Sequence, residues 1–155
     1  GRMMTLREIK AAIVAILNQN FKNCKVHFDN VEKSDAPYFY VEFMPTATTV
    51  DDLFSDRLIQ VDITYIHPKD AMGRVSRTAV FEVADALDKV FRPVLAVKDR
   101  HITILDAEMT LVDDILHYIF NLDFRDNFED AAGIQYELAQ HLELEINKLN
   151  QTEGE

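Results

Sequence analysis

The chain has 155 residues, a length typical of one domain, and 48% of them are hydrophobic, which is enough to build a core. Its formal net charge of −11 disfavours direct contact with nucleic acid or with anionic membrane surfaces. The same charge is typical either of a simply soluble protein or of one whose partner has a basic docking face. The single cysteine, Cys24, excludes an internal disulfide, and no apolar run approaches the ~18 residues of a membrane span.

The first predicted element is a helix over Thr5–Asn20, whose apolar residues recur at helical spacing on one face. Thr5 and Glu8 have the spacing of a capping box, in which the two side chains satisfy free backbone N–H groups. A short strand over Lys25–Asp29 follows, and a polar loop over Asn30–Ala36 leads to the next strand.

Two strands with alternating apolar residues come next. The first, Tyr38–Met44, is expected to end at Pro45. The second, Arg57–Ile66, has the two-residue period of a sheet with one wet face. Between them, Thr46–Phe54 is rich in Thr and Asp, and we predict that it is a loop that is mobile before assembly.

In the second half of the chain, the apolar pattern predicts a long helix over Ala71–Phe91, which is capped by Asp70 and ends before Pro93. His101–Val112 is predicted as one strand with a bulge or bend near Leu105, where the apolar phase changes.

A hairpin and a third helix complete the chain. Asp113-Asp114 is predicted to form a turn into a strand over Ile115–Phe124, on which His117 falls in the polar phase as a solvated residue. An acidic connector over Asp126–Asp130 leads to a helix over Ala131–Leu149.

The predicted order is therefore α-β-β-β-α-β-β-α, with Val94–Val97 as a candidate for a further short strand. Because the strands come in adjacent groups, we predict an α+β fold with a mostly antiparallel, mixed sheet of about four to six strands flanked by helices. We assign residues 4–149 to a single domain, residues 1–3 to an expression scar and start, and residues 150–155 to an acidic tail that frays.

Catalytic constellations are missing from the sequence. None of the five histidines pairs with another His or with Cys at metal-ligand spacing. Adjacent carboxylates such as Asp51-Asp52 fall in predicted loops, where neighbouring side chains point apart, and the four glycines form no phosphate-binding loop. We therefore predict that the protein is not an enzyme and uses no metal, cofactor or small-molecule substrate.

Three features suit the binding of other protein chains. The first is the strand pattern, because strand edges and a polar strand face can pair with a neighbouring subunit. The second is the third helix, whose narrow apolar stripe begins at Ile134 and is flanked by Glu137, Glu143 and Glu145. This helix packs either on its own sheet or on a neighbouring subunit. The third is the loop before the third strand. The candidate interaction residues are Leu53, Phe54, Gln60, Asp62, Thr64, Leu138, Leu142 and Leu149.

Three segments carry a resemblance to a known family. They are Val26–Phe43 with its polar loop, Pro and aromatic strand, Arg57–Pro68 with the pattern Val-x-Ile-x-Tyr-x-x-Pro, and the hairpin strand Leu116–Phe124. Together they resemble the tail terminator family of phages and prophages of Gram-positive bacteria, over about Met4–Phe124. The third helix departs from the resemblance, because it is longer than the family pattern implies.

This resemblance implies a sheet flanked by helices and no catalytic residues. It also implies a homo-oligomeric ring, of about six subunits, that caps the tail tube and joins it to the head connector. The implied partners are tail-tube and connector proteins, and the implied location is the virion tail, with the host bacterial cytoplasm during assembly.

Two other readings of the sequence remain open at this point. One is a small acidic chaperone or adaptor that binds an unstructured client segment, which a stable dimer with client peptide would favour. The other is an enzyme, which an ordered ligand among converging carboxylates or histidines would favour.

Overall fold

The structure, a computed structural model, describes residues 3–29, 35–128 and 131–153. Within these ranges the helices are Leu6–Asn20 (α1), Arg77–Phe91 (α2) and Ala131–Glu153 (α3). The strands are Lys25–His27 (β1), Tyr38–Thr49 (β2), Phe54–Ile66 (β3), Val94–Val97 (β4), Arg100–Thr103 (β5), Ala107–Val112 (β6) and Ile115–Asn127 (β7). None of the helices described is long and apolar enough to cross a membrane.

Five strands form one mixed sheet in the order β1-β2-β3-β7-β6. Only β1 and β2 run parallel, and every other neighbouring pair in this sheet is antiparallel. The remaining strands, β4 and β5, form a separate two-stranded hairpin. The α+β class and the mixed, mostly antiparallel sheet are confirmed.

The core lies between one face of the five-stranded sheet and the layer formed by α1, α2 and the β4–β5 hairpin. Ring contacts mark this packing, because Phe21, just after α1, meets Phe39 of β2 with ring centroids 5.0 Å apart. The buried side chains that the helices contribute are Ile9, Ile13 and Leu17 of α1 and Val80, Ala84, Leu87 and Phe91 of α2. The alternating phases predicted for β3 and β7 are the ones that face this core.

The predicted hairpin turn is confirmed in atomic detail, and the predicted capping box is confirmed for the Thr5 hydroxyl. The Thr5 hydroxyl caps α1 by accepting the Glu8 N–H at 3.1 Å, and it also donates to the Glu8 carboxylate at 3.2 Å. The Asp113-Asp114 turn joins β6 to β7 with φ values of 53° and 64°. Positive φ at both central residues is what a two-residue hairpin of the I′ type requires.

The predicted end of β2 at Pro45 is wrong, and so is the predicted loop over Thr46–Phe54. Strand β2 continues to Thr49 and pairs with β3 as far as Thr49↔Ser55, which leaves only a short turn over residues 50–53. Proline is tolerated inside an edge strand because its missing N–H can face away from the partner strand. Among the described residues, β2 is an edge strand beyond its short pairing with β1.

The predicted start of the second helix is also wrong, since α2 begins at Arg77 and its cap is Ser76. Asp70 instead closes a turn, and its Oδ1 accepts the N–H groups of Met72 and Arg74 at 2.8 and 2.9 Å. Gly73, at φ 76°, lies in this turn. A carboxylate satisfied by its own turn competes with helix formation, so residues 71–76 stay outside α2.

The strand predicted over His101–Val112 is two strands in different sheets. Strand β5 pairs with β4, whereas β6 pairs with β7. Leu105, where the apolar phase changes, is 83% exposed in the link between them. The change of phase therefore marks a change of partner and not a bulge within one strand.

The ends of three other elements also differ from their predicted bounds. Strand β1 ends at His27 instead of Asp29, and most of the predicted loop after it, residues 30–34, lies outside the described residues. The connector predicted to begin at Asp126 is wrong at its start, because β7 continues to Asn127; residues 129–130 lie outside the described residues. Helix α3 extends to Glu153 instead of Leu149.

Candidate protein-interaction surfaces

The face of the five-stranded sheet that points away from the core is here called the open sheet face. The strand register places alternate residues of four strands side by side on it, and all of them are exposed or half-buried. Its members are Tyr38, Tyr40, Glu42 and Met44 of β2, Leu58, Gln60, Asp62 and Thr64 of β3, His117, Ile119, Asn121 and Asp123 of β7, and Glu108 and Thr110 of β6.

A polar cluster of Asp62, Thr64 and His117 occupies the middle of the open sheet face. The His117 Nδ1 lies 3.2 Å from each Asp62 carboxylate oxygen and 3.2 Å from the Thr64 hydroxyl. Thr64 also donates to Asp62 at 3.3 Å. These half-buried side chains orient one another, so they form a preorganised set of polar groups on the sheet face.

The structure thus joins two residues predicted to bind protein, Asp62 and Thr64, with a histidine that was predicted only to be solvated. Gln60, the third predicted residue of this strand face, pairs in register with Met44 on one side and Asn121 on the other. His117 could have been found from the sequence only if the β3–β7 pairing had been known, since 53 residues separate it from Thr64.

Apolar side chains flank the polar cluster. Met44 is 61% exposed and Leu58 is 42% exposed on the open sheet face. Half-buried Tyr38, Tyr40 and Ile119 add further apolar area. An apolar surface around a few oriented polar groups is the usual composition of a contact between protein chains.

The outer edge of β2 is a second candidate surface. Strand β1 pairs with β2 only over Tyr38–Tyr40, so the rest of β2, residues 41–49, meets no partner strand on that side within the described ranges. From Met44 to Thr49 every residue is exposed. An unpaired strand edge offers backbone N–H and C=O groups to a strand of another chain.

Leu53 and Phe54 lie at the end of the β2–β3 hairpin, about 20 Å along the strand from Gln60. The Asp51 carboxylate accepts the N–H groups of Leu53 and Phe54 at 2.8 and 2.9 Å. The Leu53 carbonyl accepts the Phe128 N–H at 2.8 Å. Leu53 is exposed and Phe54 is half-buried, so these predicted residues belong to a hydrogen-bonded turn joined to the end of β7.

Helix α3 presents the predicted residues Leu138, Leu142 and Leu149 to solvent, with 53%, 53% and 65% of each residue exposed. Ile146 follows Leu142 by four residues and precedes Leu149 by three, so it lies on the same helix face and completes an apolar stripe that the prediction left incomplete. Of the two alternatives for α3, packing on its own sheet is not seen from Leu138 onwards, where these side chains are exposed. The side chain of Ile134, predicted to begin the stripe, lies outside the described residues.

A buried charge cluster, which the sequence analysis missed, joins the start of α1 to β3, β5 and β7. Asp126 is 2% exposed, and its carboxylate accepts the Met4 N–H at 3.2 Å and forms ion pairs with Arg57 and Arg100. Both guanidinium groups also lie over the Phe124 ring, at 5.5 and 5.2 Å from its centroid. The sequence did hold a signal for it, because Arg57 and Asp126 fall in the buried phases of their strands and buried opposite charges pair.

A second polar contact attaches α2 to β7. The Tyr118 hydroxyl donates to the Asp88 carboxylate at 2.8 Å, and Arg92 Nε donates to the same oxygen at 2.6 Å. The Arg92 hydrogen bond, helped by that of Tyr118, lowers the pKa of Asp88 below its ordinary value of 3.8. Burial, followed by the Asp88 contact, raises the pKa of Tyr118 above its ordinary value of 10.0. Within the described part of the chain, no group of three or more His, Cys, Asp or Glu residues is placed to hold a metal ion.

In the part of the chain that the structure describes, this α+β domain has an uncovered sheet face, an unpaired strand edge and an exposed apolar helix stripe. These features are typical of proteins that assemble with other chains. The family model of phage tail terminator proteins matches residues 8–134, and the chain belongs to this family. The resemblance carried by the three sequence segments is thereby confirmed, and the protein is a structural protein of the phage tail. A comparison with curated proteins gives no significant match.

Proposed function

We propose that the protein forms a ring of about six subunits on the end of the tail tube, where it stops tube growth and presents a surface to the head connector. Family membership supports the site of action, because residues 8–134 match phage tail terminator proteins. The observation that carries the proposal is the open sheet face, which combines the oriented Asp62–Thr64–His117 cluster with exposed Met44 and Leu58.

The geometry of this face suits contact with another protein chain better than contact with a small molecule. Its polar groups are spread over four neighbouring strands of a sheet. A cavity of 460 Å³ at its margin is lined by Leu58, Asn121 and Asp123 together with residues of β5, and not by the Asp62–Thr64–His117 cluster. The unpaired edge of β2 adjoins it, so one partner could contact the face and the edge together. A ring supplies such a partner, because each subunit presents one surface to its neighbour and receives another.

The experiment that tests this function measures absolute mass by light scattering after size exclusion, with and without tail tubes assembled from tail-tube protein. The expected result is a discrete ring of about six subunits in solution, or a monomer that becomes a ring on tube ends. A stable dimer that does not bind tail tubes but binds an unfolded client peptide would overturn the proposal in favour of a chaperone or adaptor.

Replacing one exposed methionine on the open sheet face separates a surface effect from a folding effect. Met44→Arg places a charge on that face, and we expect it to lower ring formation or tube capping at least ten-fold without a change in thermal stability. The matched control is Met72→Arg, because Met72 is 73% exposed in the turn before α2, away from the sheet face. Equal assembly of both variants would show that the open sheet face is not the contact surface.

A further inference from the structure

A groove between α1 and β4, here called the α1–β4 groove, has a chemical character unlike the rest of this acidic chain. Its volume is 480 Å³, and it is lined by Arg7, Glu8, Ala11, Ala12, Ala96 and Lys98. Its floor consists of small apolar side chains and its rim holds two cations. Glu8, the one carboxylate among these residues, pairs with Lys98 at 3.8 Å. The groove is therefore net basic in a chain whose formal net charge is −11.

The apolar stripe of α3 has the complementary character. Leu138, Leu142, Ile146 and Leu149 form a stripe along a helix that is about 34 Å long. Glu143 and Glu145 accompany the stripe, and Lys148 pairs with Glu145 at 3.9 Å. Small residues such as Ala11 and Ala96 let a helix approach closely, because interaxial distance depends on the side chains at the contact.

We propose that the α3 stripe of one subunit docks in the α1–β4 groove of a neighbouring copy, with Glu143 and Glu145 facing Arg7 and Lys98. The proposal rests on the proposed ring and adds to the open sheet face a second contact between its subunits. The stripe is exposed within one chain, so its burial requires contact with another chain. Because groove and stripe are different surfaces, the contact is head-to-tail, and such a contact generates a ring when the rotation between neighbouring subunits closes.

Two other surfaces of a second copy suit the stripe less well. A second α3 would set Glu143 and Glu145 against their own counterparts, and like charges at a contact oppose binding. The open sheet face holds Glu42, Glu108 and Asp123 in addition to Asp62, so it too is acidic. Among these three surfaces the α1–β4 groove is the one whose charge is opposite to that of the stripe.

Disulfide trapping between two differently labelled copies tests this contact. In a Cys24→Ala background, one copy carries Ala11→Cys and a smaller or tagged copy carries Leu142→Cys, and the two are mixed under conditions where light scattering shows the oligomer. We expect a cross-linked heterodimer, formed on the order of ten-fold faster than with Leu144→Cys as the control. Leu144 is 60% exposed but lies two residues from Leu142, on another side of the helix.

A charge exchange provides a second readout. Arg7→Glu with Lys98→Glu should abolish most of the cross-link, and Glu143→Lys with Glu145→Lys on the partner copy should restore it. Restoration would not follow if the first pair of substitutions merely damaged the fold.

Each outcome distinguishes this contact from the ring itself. Oligomers that form without the selective cross-link overturn the proposed docking and leave the ring intact. A cross-link that forms only within a chain carrying both Ala11→Cys and Leu142→Cys shows that the groove receives its own α3, which also overturns it. If no oligomer forms, in solution or on tail tubes, the ring and the docking are both wrong.

Discussion

Asp126 is the residue on which the buried polar contacts of this domain converge. Its carboxylate accepts the Met4 N–H and forms ion pairs with Arg57 and Arg100, and only 2% of the residue is exposed. Arg57 is itself 9% exposed, so it depends on this carboxylate for its charge balance. Removing one member of a buried ion pair costs more than the pair contributes, because the remaining charge stays buried without its partner.

We therefore expect Asp126→Ala to lower the free energy of unfolding by about 3 to 5 kcal/mol. Urea denaturation followed by circular dichroism measures this change. The control is Asp123→Asn, a substitution at an exposed position of the same strand, which should change stability by about 0.5 kcal/mol or less. Similar denaturation midpoints for the two variants would mean that the charge cluster contributes nothing to stability.

At the scale of elements, the attachment of α2 to β7 depends on pH through Asp88. Hydrogen bonds from Arg92 and then from Tyr118 lower the pKa of Asp88 in the folded protein below 3.8. A group whose pKa is lower in the folded state contributes stability above its unfolded pKa and loses it as pH falls through the folded pKa. The contribution is therefore complete at neutral pH, begins to decline near the ordinary pKa of 3.8 and is lost as pH falls through the lower pKa of the folded protein.

Asp88→Asn should accordingly destabilise the protein at pH 7, by about 1 to 2 kcal/mol, and by progressively less as pH falls from 3.8 to 3. Urea midpoints of both proteins across this pH range give the comparison, and the two curves should converge at the acid end. Asp85→Asn serves as the control, because Asp85 is an exposed carboxylate on the same helix. A constant gap between wild type and Asp88→Asn down to pH 3 would contradict the assignment.

The local sequence pattern was sufficient to predict where some helices and strands begin and end, and insufficient for others. The helix over Leu6–Asn20 agrees with its sequence pattern because a capping box and a helical apolar period are both local signals. Pro45 misled the prediction because its effect depends on whether β2 is central or at an edge, which is a property of the sheet. For the same reason the phase change at Leu105 could not reveal that β5 and β6 join different sheets.

At the scale of the whole molecule, the net charge of −11 governs how subunits meet. We expect like-charged subunits to repel one another when dilute, so that the proposed ring forms more readily where a tail tube acts as a template. Glutamates of α3 opposite Arg7 and Lys98 would select the neighbour, whereas surface pairs of this kind contribute little affinity. When salt screens both interactions, the weakening of the net repulsion between subunits should therefore affect assembly more than the weakening of these ion pairs.

We expect salt to promote assembly, so that raising ionic strength from about 0.05 M to about 0.5 M lowers the protein concentration at which the ring forms. Light scattering across a concentration series at each salt level measures this shift. The Lys148→Glu variant, which adds net negative charge on α3, should need more salt than wild type. Assembly that weakens with salt would indicate that attraction between opposite charges, and not apolar contact, holds the subunits together.

For the candidate surfaces, as for the fold, some features could be predicted from the sequence and others required the tertiary structure. Polar phase alone picked out Gln60, Asp62 and Thr64 as the wet side of β3, and helical spacing picked out Leu138, Leu142 and Leu149. The contacts that these and other polar residues make within the chain could not be inferred. His117 meets Asp62 only because β3 pairs with β7, and Arg100 meets Asp126 only because β5 lies next to β7.

By itself, the sequence determined the α+β class, the family, the core-facing phases of β3 and β7 and the apolar stripe of α3. The family follows from the resemblance of three sequence segments. The class, the core-facing phases and the stripe depend on the short-range order of apolar and polar residues. Only the tertiary structure decided that β2 lies at an edge, that Arg57 and Asp126 share one buried cluster, and that the α3 stripe stays exposed. Each of these depends on which segments become neighbours across many residues of sequence, and residue periodicity holds no information about that choice.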